Sequence, residues 1–279
     1  MRDMSENTGQ NKSTLNIATL IGLGMAAAGI LGGQVLEGGH LSSLRQPTAA
    51  MIVLGGTFGA CFVQFPLGIA IASLKAILGA FGEPQSDNKS IIRELIRIAN
   101  KARKEGVISL EVDAQKMSDP FLKKALMMAM DGVEPKVLRD TMDLEIANIE
   151  QEFEHPIKFW TSAGGYAPTI GIIGAVLGLI HVMDNLADPS KLGAGIAVAF
   201  VATIYGLVTA NIICLPMAGK LKMQAEKMMV AKEIMLEGVV AILEGENPRL
   251  IEDKLKSYLS HKEQEEYAEA GATNQRKAA

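Results

Sequence analysis

Four stretches of this chain, 13–36, 46–74, 159–183 and 192–219, contain no Asp, Glu, Lys or Arg. Each exceeds the roughly 20 apolar residues that a helix needs to cross a bilayer. Backbone groups in hydrocarbon must find their hydrogen bonds within the segment, so each run is expected to be helical. The pattern predicts spans at about 15–36, 49–74, 163–186 and 195–217. Charge crowded into the remaining segments accounts for a mean hydropathy of +0.20 alongside 27 basic and 31 acidic residues. The first run exceeds a signal-peptide core and follows only Arg2 and Lys12, so it reads as an uncleaved helix.

The basic residues orient the spans. Loop 37–48 holds only Arg45 and loop 184–194 only Lys191, while Lys75, Lys220, Lys222 and Lys227 flank the other span ends. The positive-inside rule then places both termini and the middle segment in the cytoplasm. The domain reading is a cytoplasmic N-terminus (1–14), spans one and two (15–74), a cytoplasmic domain (75–162), spans three and four (163–219), cytoplasmic C-terminal helices (220–260) and a disordered tail (261–279).

The charged segments also read as helices, which makes the fold class an all-α polytopic membrane protein. Ile91, Ile92, Leu95, Ile98, Ala99 and Ala102 share one helical face, with Ser90 as the cap and Gly106 as the stop. A second helix is expected from Asp119 and Pro120 to Gly132, and a third from Pro135 into the third span. Beyond the fourth span a helix should reach Gly245, followed by a short one capped by Asn247. From Ser260 the composition is polar enough to predict disorder.

Catalytic chemistry finds no residues to work with. Cys61 and Cys214 fall inside spans, and the four histidines lack metal-ligand spacing. No phosphate loop and no nucleophile with a base is present, so no enzyme activity, cofactor, metal or nucleic-acid partner is expected.

Small residues recur four apart at Gly29/Gly33, Gly55/Gly59, Gly174/Gly178 and Gly195/Ala199, a spacing that lets helices approach closely in lipid. Ala199, Thr203, Gly206 and Ala210 form one stripe of the fourth span; Pro168, Ala175 and Leu179 form one on the third. Pro168 and Pro216 each remove a backbone donor inside a span. Proton relays in membranes use Asp, Glu or His, yet only His181 and Asp184, near the outer end of the third span, qualify. Either the chain conducts nothing, as a membrane scaffold, or a partner helix brings a carboxylate, which costs about 2.5–3.5 kcal/mol at mid-bilayer.

Two stretches, "YAPTIGIIGAVLGLIHVMDNLADPSKLGAGIAVAFVATIYGLVTANIICLPMAGKL" and "EGVVAILEGENPRLIEDKLKSYL", resemble the MotA family, the larger stator subunits of the bacterial flagellar motor. The likeness covers about residues 15–260. It implies a proton-driven rotary channel in the bacterial inner membrane, in which five such chains surround a MotB dimer whose membrane aspartates carry the ion. "ARKEGVISLE" is similar to the family's rotor-facing motif and implies that Arg103 and Glu111 contact the rotor protein FliG. Pro168 and Pro216 match prolines linked to torque, and Thr203 matches a threonine facing the ion path. Sodium-type relatives tend to carry threonine where this chain has Ala175, which favours protons. ExbB/TolQ-type energisers of outer-membrane processes are the nearest alternative; they usually have three spans, against four charge-free runs here.

Overall fold

The computed structural model describes residues 17–80 and 87–278, and all regular structure among them is helical. The expected N-terminal segment 1–14 lies outside these residues. The chain divides into two units, one within Met1–Pro84 and Glu152–Gln224, the other within Gln85–Gln151 and Ala225–Ala279.

The first unit holds α1 (Ile17–Leu36), α2 (Pro47–Gln64), α3 (Leu67–Ala80), the later part of α7 (Pro135–Asp184), α8 (Pro189–Val208) and the first turns of α9 (Leu215–Leu243). Among the described residues, four helices are long and apolar enough to cross a membrane. The predicted second span is corrected: a single helix over 49–74 is replaced by α2 and α3. Pro66 causes the break. A proline disfavours helical backbone in the residue before it, and Phe65 is extended, at φ −114° and ψ 140°. Aromatic packing holds the break in place: Phe65 stands 5.5 Å from Phe159, and Trp160 meets Phe58 edge-on at 6.3 Å. The Trp160 indole N–H donates to the Ser73 carbonyl at 2.9 Å, fastening α3 to α7.

Helix α7 continues through Pro156 and Pro168. Between α8 and α9 the chain does something different, winding residues Thr209–Cys214 as a π-helical turn. Pro216 supplies the reason. Its ring would crowd the carbonyl four residues back and it has no N–H to donate, and a widened turn just upstream relieves both problems.

The second unit is built by amphipathic packing: α4 (Asn88–Glu105), α5 (Glu111–Lys116), α6 (Pro120–Met130), the start of α7, the rest of α9, α10 (Pro248–Lys256) and α11 (His261–Ala278). Ile92, Leu95 and Ile98 of α4 are fully buried with Phe121, Leu126, Leu138, Ile234, Ile251 and Leu255. Gly106, Gly132 and Gly245 end α4, α6 and α9 with positive φ, a conformation glycine adopts without steric cost. Asp119 and Asn247 cap α6 and α10 as expected, accepting from Phe121 N at 2.9 Å and Arg249 N at 3.1 Å. The cap of α4 is Asp87 instead of Ser90, accepting from Lys89 N.

The tail is the second correction. Segment 261–279, expected to be disordered, forms α11 as far as Ala278. Ser260 and Glu263 make a reciprocal capping box: the Ser260 N–H donates to the Glu263 carboxylate at 2.9 Å, and the Glu263 N–H to the Ser260 hydroxyl. Tyr267 is buried between the Arg93 guanidinium, 5.4 Å from its ring, and the Lys256 ammonium, at 5.3 Å. Lys89 pairs with Glu266 at 2.6 Å. Polar composition hid this helix because one tyrosine supplies most of its apolar anchorage.

Burial and the adjacent Glu252 push the Tyr267 hydroxyl up to about 12 from an ordinary 10. Docking therefore favours the neutral phenol, and that contribution is complete below about pH 10 and fades as pH climbs towards 12. A nitroxide at Glu265→Cys is expected to gain mobility across that window. Tyr267→Phe should hold α11 docked to higher pH.

Candidate functional site

Helices α7 and α8 meet backbone to backbone. A Cβ added at Gly206 would lie 2.6 Å from the Ala167 carbonyl oxygen; one at Gly178 would lie 2.7 Å from the Ala199 nitrogen. At Gly171 it would meet the Ala202 carbonyl at 3.0 Å, and at Gly195 the Gly178 carbonyl at 2.9 Å. The expected pairs Gly174/Gly178 and Gly195/Ala199 thus belong to one seam. Gly29, Gly33, Gly55 and Gly59 behave otherwise, with no described atom within 4 Å of an added Cβ. Their spacing signals no such close contact among the described residues.

Helix α2 covers one flank of the seam. Ala49 and Val53 pack with Val201, Ala202 and Tyr205, and Gly56 lies against Ile170. At about 100° per residue, Pro168, Ala175 and Leu179 of α7 fall on the other flank, together with Phe200 and Thr203 of α8. This flank is apolar and largely bare: Phe200 is 70% exposed and Leu179 52%. Pro168, Ala175 and Thr203 are half-buried along its floor. The Thr203 hydroxyl donates to the Ala199 carbonyl at 3.1 Å, which satisfies it within the helix. The flank thus offers a smooth, uncharged wall to whatever lies against it.

Three of the four span residues singled out from sequence therefore share a face. Pro216 does not join them; it lines a crevice of about 330 Å³ towards α1, with Asn211 and Lys220. Arg103 and Glu111 belong to the second unit. Arg103 is exposed in the last turn of α4, Glu111 exposed as the first residue of α5, and neither forms an ion pair among the described residues. Between them in sequence the 3₁₀ turn Val107–Leu110 follows Gly106 at φ +84°. Their neighbour Asp113 is engaged, accepting from Lys101 at 2.7 Å and Arg97 at 2.8 Å, and those bonds hold its carboxyl below the usual range.

Several residues were not anticipated. The Tyr205 hydroxyl donates to the Leu44 carbonyl, tying α8 to the turn before α2. Tyr166 donates to the Gln64 amide oxygen at 2.7 Å. Thr57 is fully buried, and its hydroxyl has no partner among the described residues. Each is a polar group in an apolar run, a signal that marks the residue without naming its partner.

Comparison with known proteins adds the context. The profile of the MotA/TolQ/ExbB proton channel family matches residues 113–234, and that of the motility protein A N-terminal region matches residues 20–106. Motility protein A of Bacillus subtilis (strain 168) is 37% identical over 258 residues, covering 91% of this chain and 94% of that protein. The solved flagellar MotAB stator complex from Bacillus subtilis has a chain similar at a TM-score of 0.83 and 35% identity, covering 90% of this chain and 99% of that one. C. jejuni MotAB gives 0.84 at 30% identity, covering 88% and 97%.

The seam makes a direct prediction. Gly206→Ala puts a methyl group against a carbonyl oxygen and is expected to destabilise the protein by about 1–3 kcal/mol, read as a lower melting temperature in detergent. Gly24→Ala, where nothing lies within 4 Å, should be neutral or mildly stabilising.

Proposed function

The chain belongs to the MotA/TolQ/ExbB proton channel family, on its motility protein A branch, and on that premise we propose how it works as a flagellar motor stator subunit. The observation that carries the proposal is the bare flank of α7 and α8. It is long, apolar and free of carboxylates, and no described residue covers it. A MotB helix bearing one aspartate fits such a wall.

A dimer of MotB supplies two such helices, and several copies of this chain, five by the resemblance, enclose them in the bacterial inner membrane. Both termini and the charged second unit face the cytoplasm, as the distribution of lysine and arginine argues. When the aspartate is charged it prefers water or a polar neighbour; when protonated it tolerates the wall. Proton uptake and release therefore change which surface of the ring the helix favours. Each proton crossing 100 mV releases about 2.3 kcal/mol, enough to bias one step of a ring with discrete resting positions. Thr203 and Ala175 border the path. Ala175 offers no oxygen to replace water around sodium, which supports protons as the ion. Pro168 remains on the working face, and Pro216 shapes the turn at the inner end of α8.

Torque leaves through Arg103 and Glu111. Both are exposed and without an ion pair among the described residues, and they are free to engage complementary charges on FliG. A Glu111→Lys variant is expected to abolish or sharply reduce swimming while the complex with MotB still assembles; normal swimming in that variant would refute the rotor contact. Co-expression with MotB should produce a proton flux that vanishes when the MotB aspartate is replaced by asparagine. Flux from this chain alone would count against the borrowed carboxylate.

A further inference from the structure

The end of the second unit that carries Glu111 holds a concave apolar patch. Leu110 and Ala114 turn inward and are buried, which leaves Ile108 and Val112 outward, 79% and 58% exposed. Met127 of α6 is 48% exposed beside them. Between α5 and α6 lies a cavity of about 290 Å³, lined by Ile108, Met127 and Met130 and by two carboxylates, Glu111 and Asp131. Exposed apolar side chains gathered around one hollow offer a surface that a partner can cover.

The charges state what kind of partner. No lysine or arginine lines the hollow. Arg97 and Lys101 pair with Asp113 and Lys124 with Glu145, while Lys116 and Lys123, outside the lining, form no ion pair among the described residues. Glu111 and Asp131 form no ion pair among the described residues. Asp131 also stands at the C-terminal cap of α6, where the helix dipole opposes a negative charge. An apolar hollow bordered by uncompensated negative charge is complementary to an apolar side chain flanked by cations.

We propose that this hollow is a socket for the rotor protein: it receives one apolar side chain that a rotor helix presents between lysines or arginines. The inference rests on the rotor contact proposed above and deepens it. Charge alone would give a contact that any ionic shift weakens. The socket adds a fit that depends on shape, and it assigns Ile108, Met127 and Asp131 a part alongside Glu111.

The test uses the full complex with MotB in nanodiscs and purified FliG as the probe. Ile108→Asp and Met127→Asp are expected to weaken FliG binding at least fivefold and to stop swimming. Proton flux and complex assembly should stay at wild-type levels. Asp131→Lys should weaken binding likewise, and Ile108→Leu should preserve it. Both aspartate variants alter exposed side chains, and an unchanged melting temperature checks that they fold. If Glu111→Lys weakens binding and the two aspartate variants stay within fivefold of wild type, the socket is overturned while the rotor contact stands. If wild-type complex does not bind FliG, or Glu111→Lys binds normally, the rotor contact itself fails and the socket with it. Loss of assembly with MotB in Ile108→Asp would assign the hollow to a neighbouring copy or to MotB and overturn the proposal.

Discussion

Apolar side chains gain little by leaving lipid for one another, so helices in a bilayer associate where their surfaces allow close approach. The seam between α7 and α8 is such a surface. Gly171, Gly178, Gly195 and Gly206 bring backbone against backbone, and no added methyl group fits there without displacing a carbonyl or an amide. The rest of the first unit is arranged around this contact. With the two helices pressed together, α2 can cover only one flank. The other is left smooth and neutral, and the proposed ion path depends on that flank.

The second unit is held by different physics. There the amphipathic pattern of α4, the caps at Asp87, Asp119 and Asn247, and a few ion pairs at the edge of the core hold the helices together. Glu237 illustrates the balance: burial opposes its charge, but Lys254 and Arg139 bond to it and together hold its carboxyl below the usual range. Lys232, 9% exposed, reaches Asp119 at 2.7 Å and also sits 5.2 Å from the Phe121 ring, so the residue that caps α6 is anchored to α9 as well.

Much of this was legible in the sequence, because a charge-free run leaves the chain no alternative to a helix. Spans one, three and four follow from composition, and spacing marks the pairs 174/178 and 195/199 as able to approach a neighbour closely. Misreadings came where one residue overrules a run. Pro66 divides the second span although nothing in its hydropathy changes. Tyr267 fastens a helix whose polar composition predicts disorder, although the Ser260–Glu263 capping pattern was present to be read. The Gly29/Gly33 and Gly55/Gly59 pairs carry the same spacing as the seam, yet no described atom lies within 4 Å of a Cβ added at any of them. Spacing states that close approach is allowed, and only a three-dimensional neighbour decides whether it happens. Arg103 and Glu111 would pass as ordinary solvated charges without the family resemblance, since exposure does not separate a contact surface from a wet one.

The π-helical turn at Thr209–Cys214 has a consequence for phase. Each such turn holds one residue more than an α-turn would, so the helix beyond it is rotated by about 100° relative to an uninterrupted one. Gly206, Ala210, Cys214 and Ala218, each four apart, stay on the packed side across a stretch where an even α-helix would drift away from it. Loss of a single residue there would leave a perfectly good helix by local standards. It would also swing Cys214, Ala218 and Leu221 out of their aromatic surroundings. The turn therefore acts as a vernier that sets the later face against the earlier one, and chain length in this stretch is as constrained as residue identity.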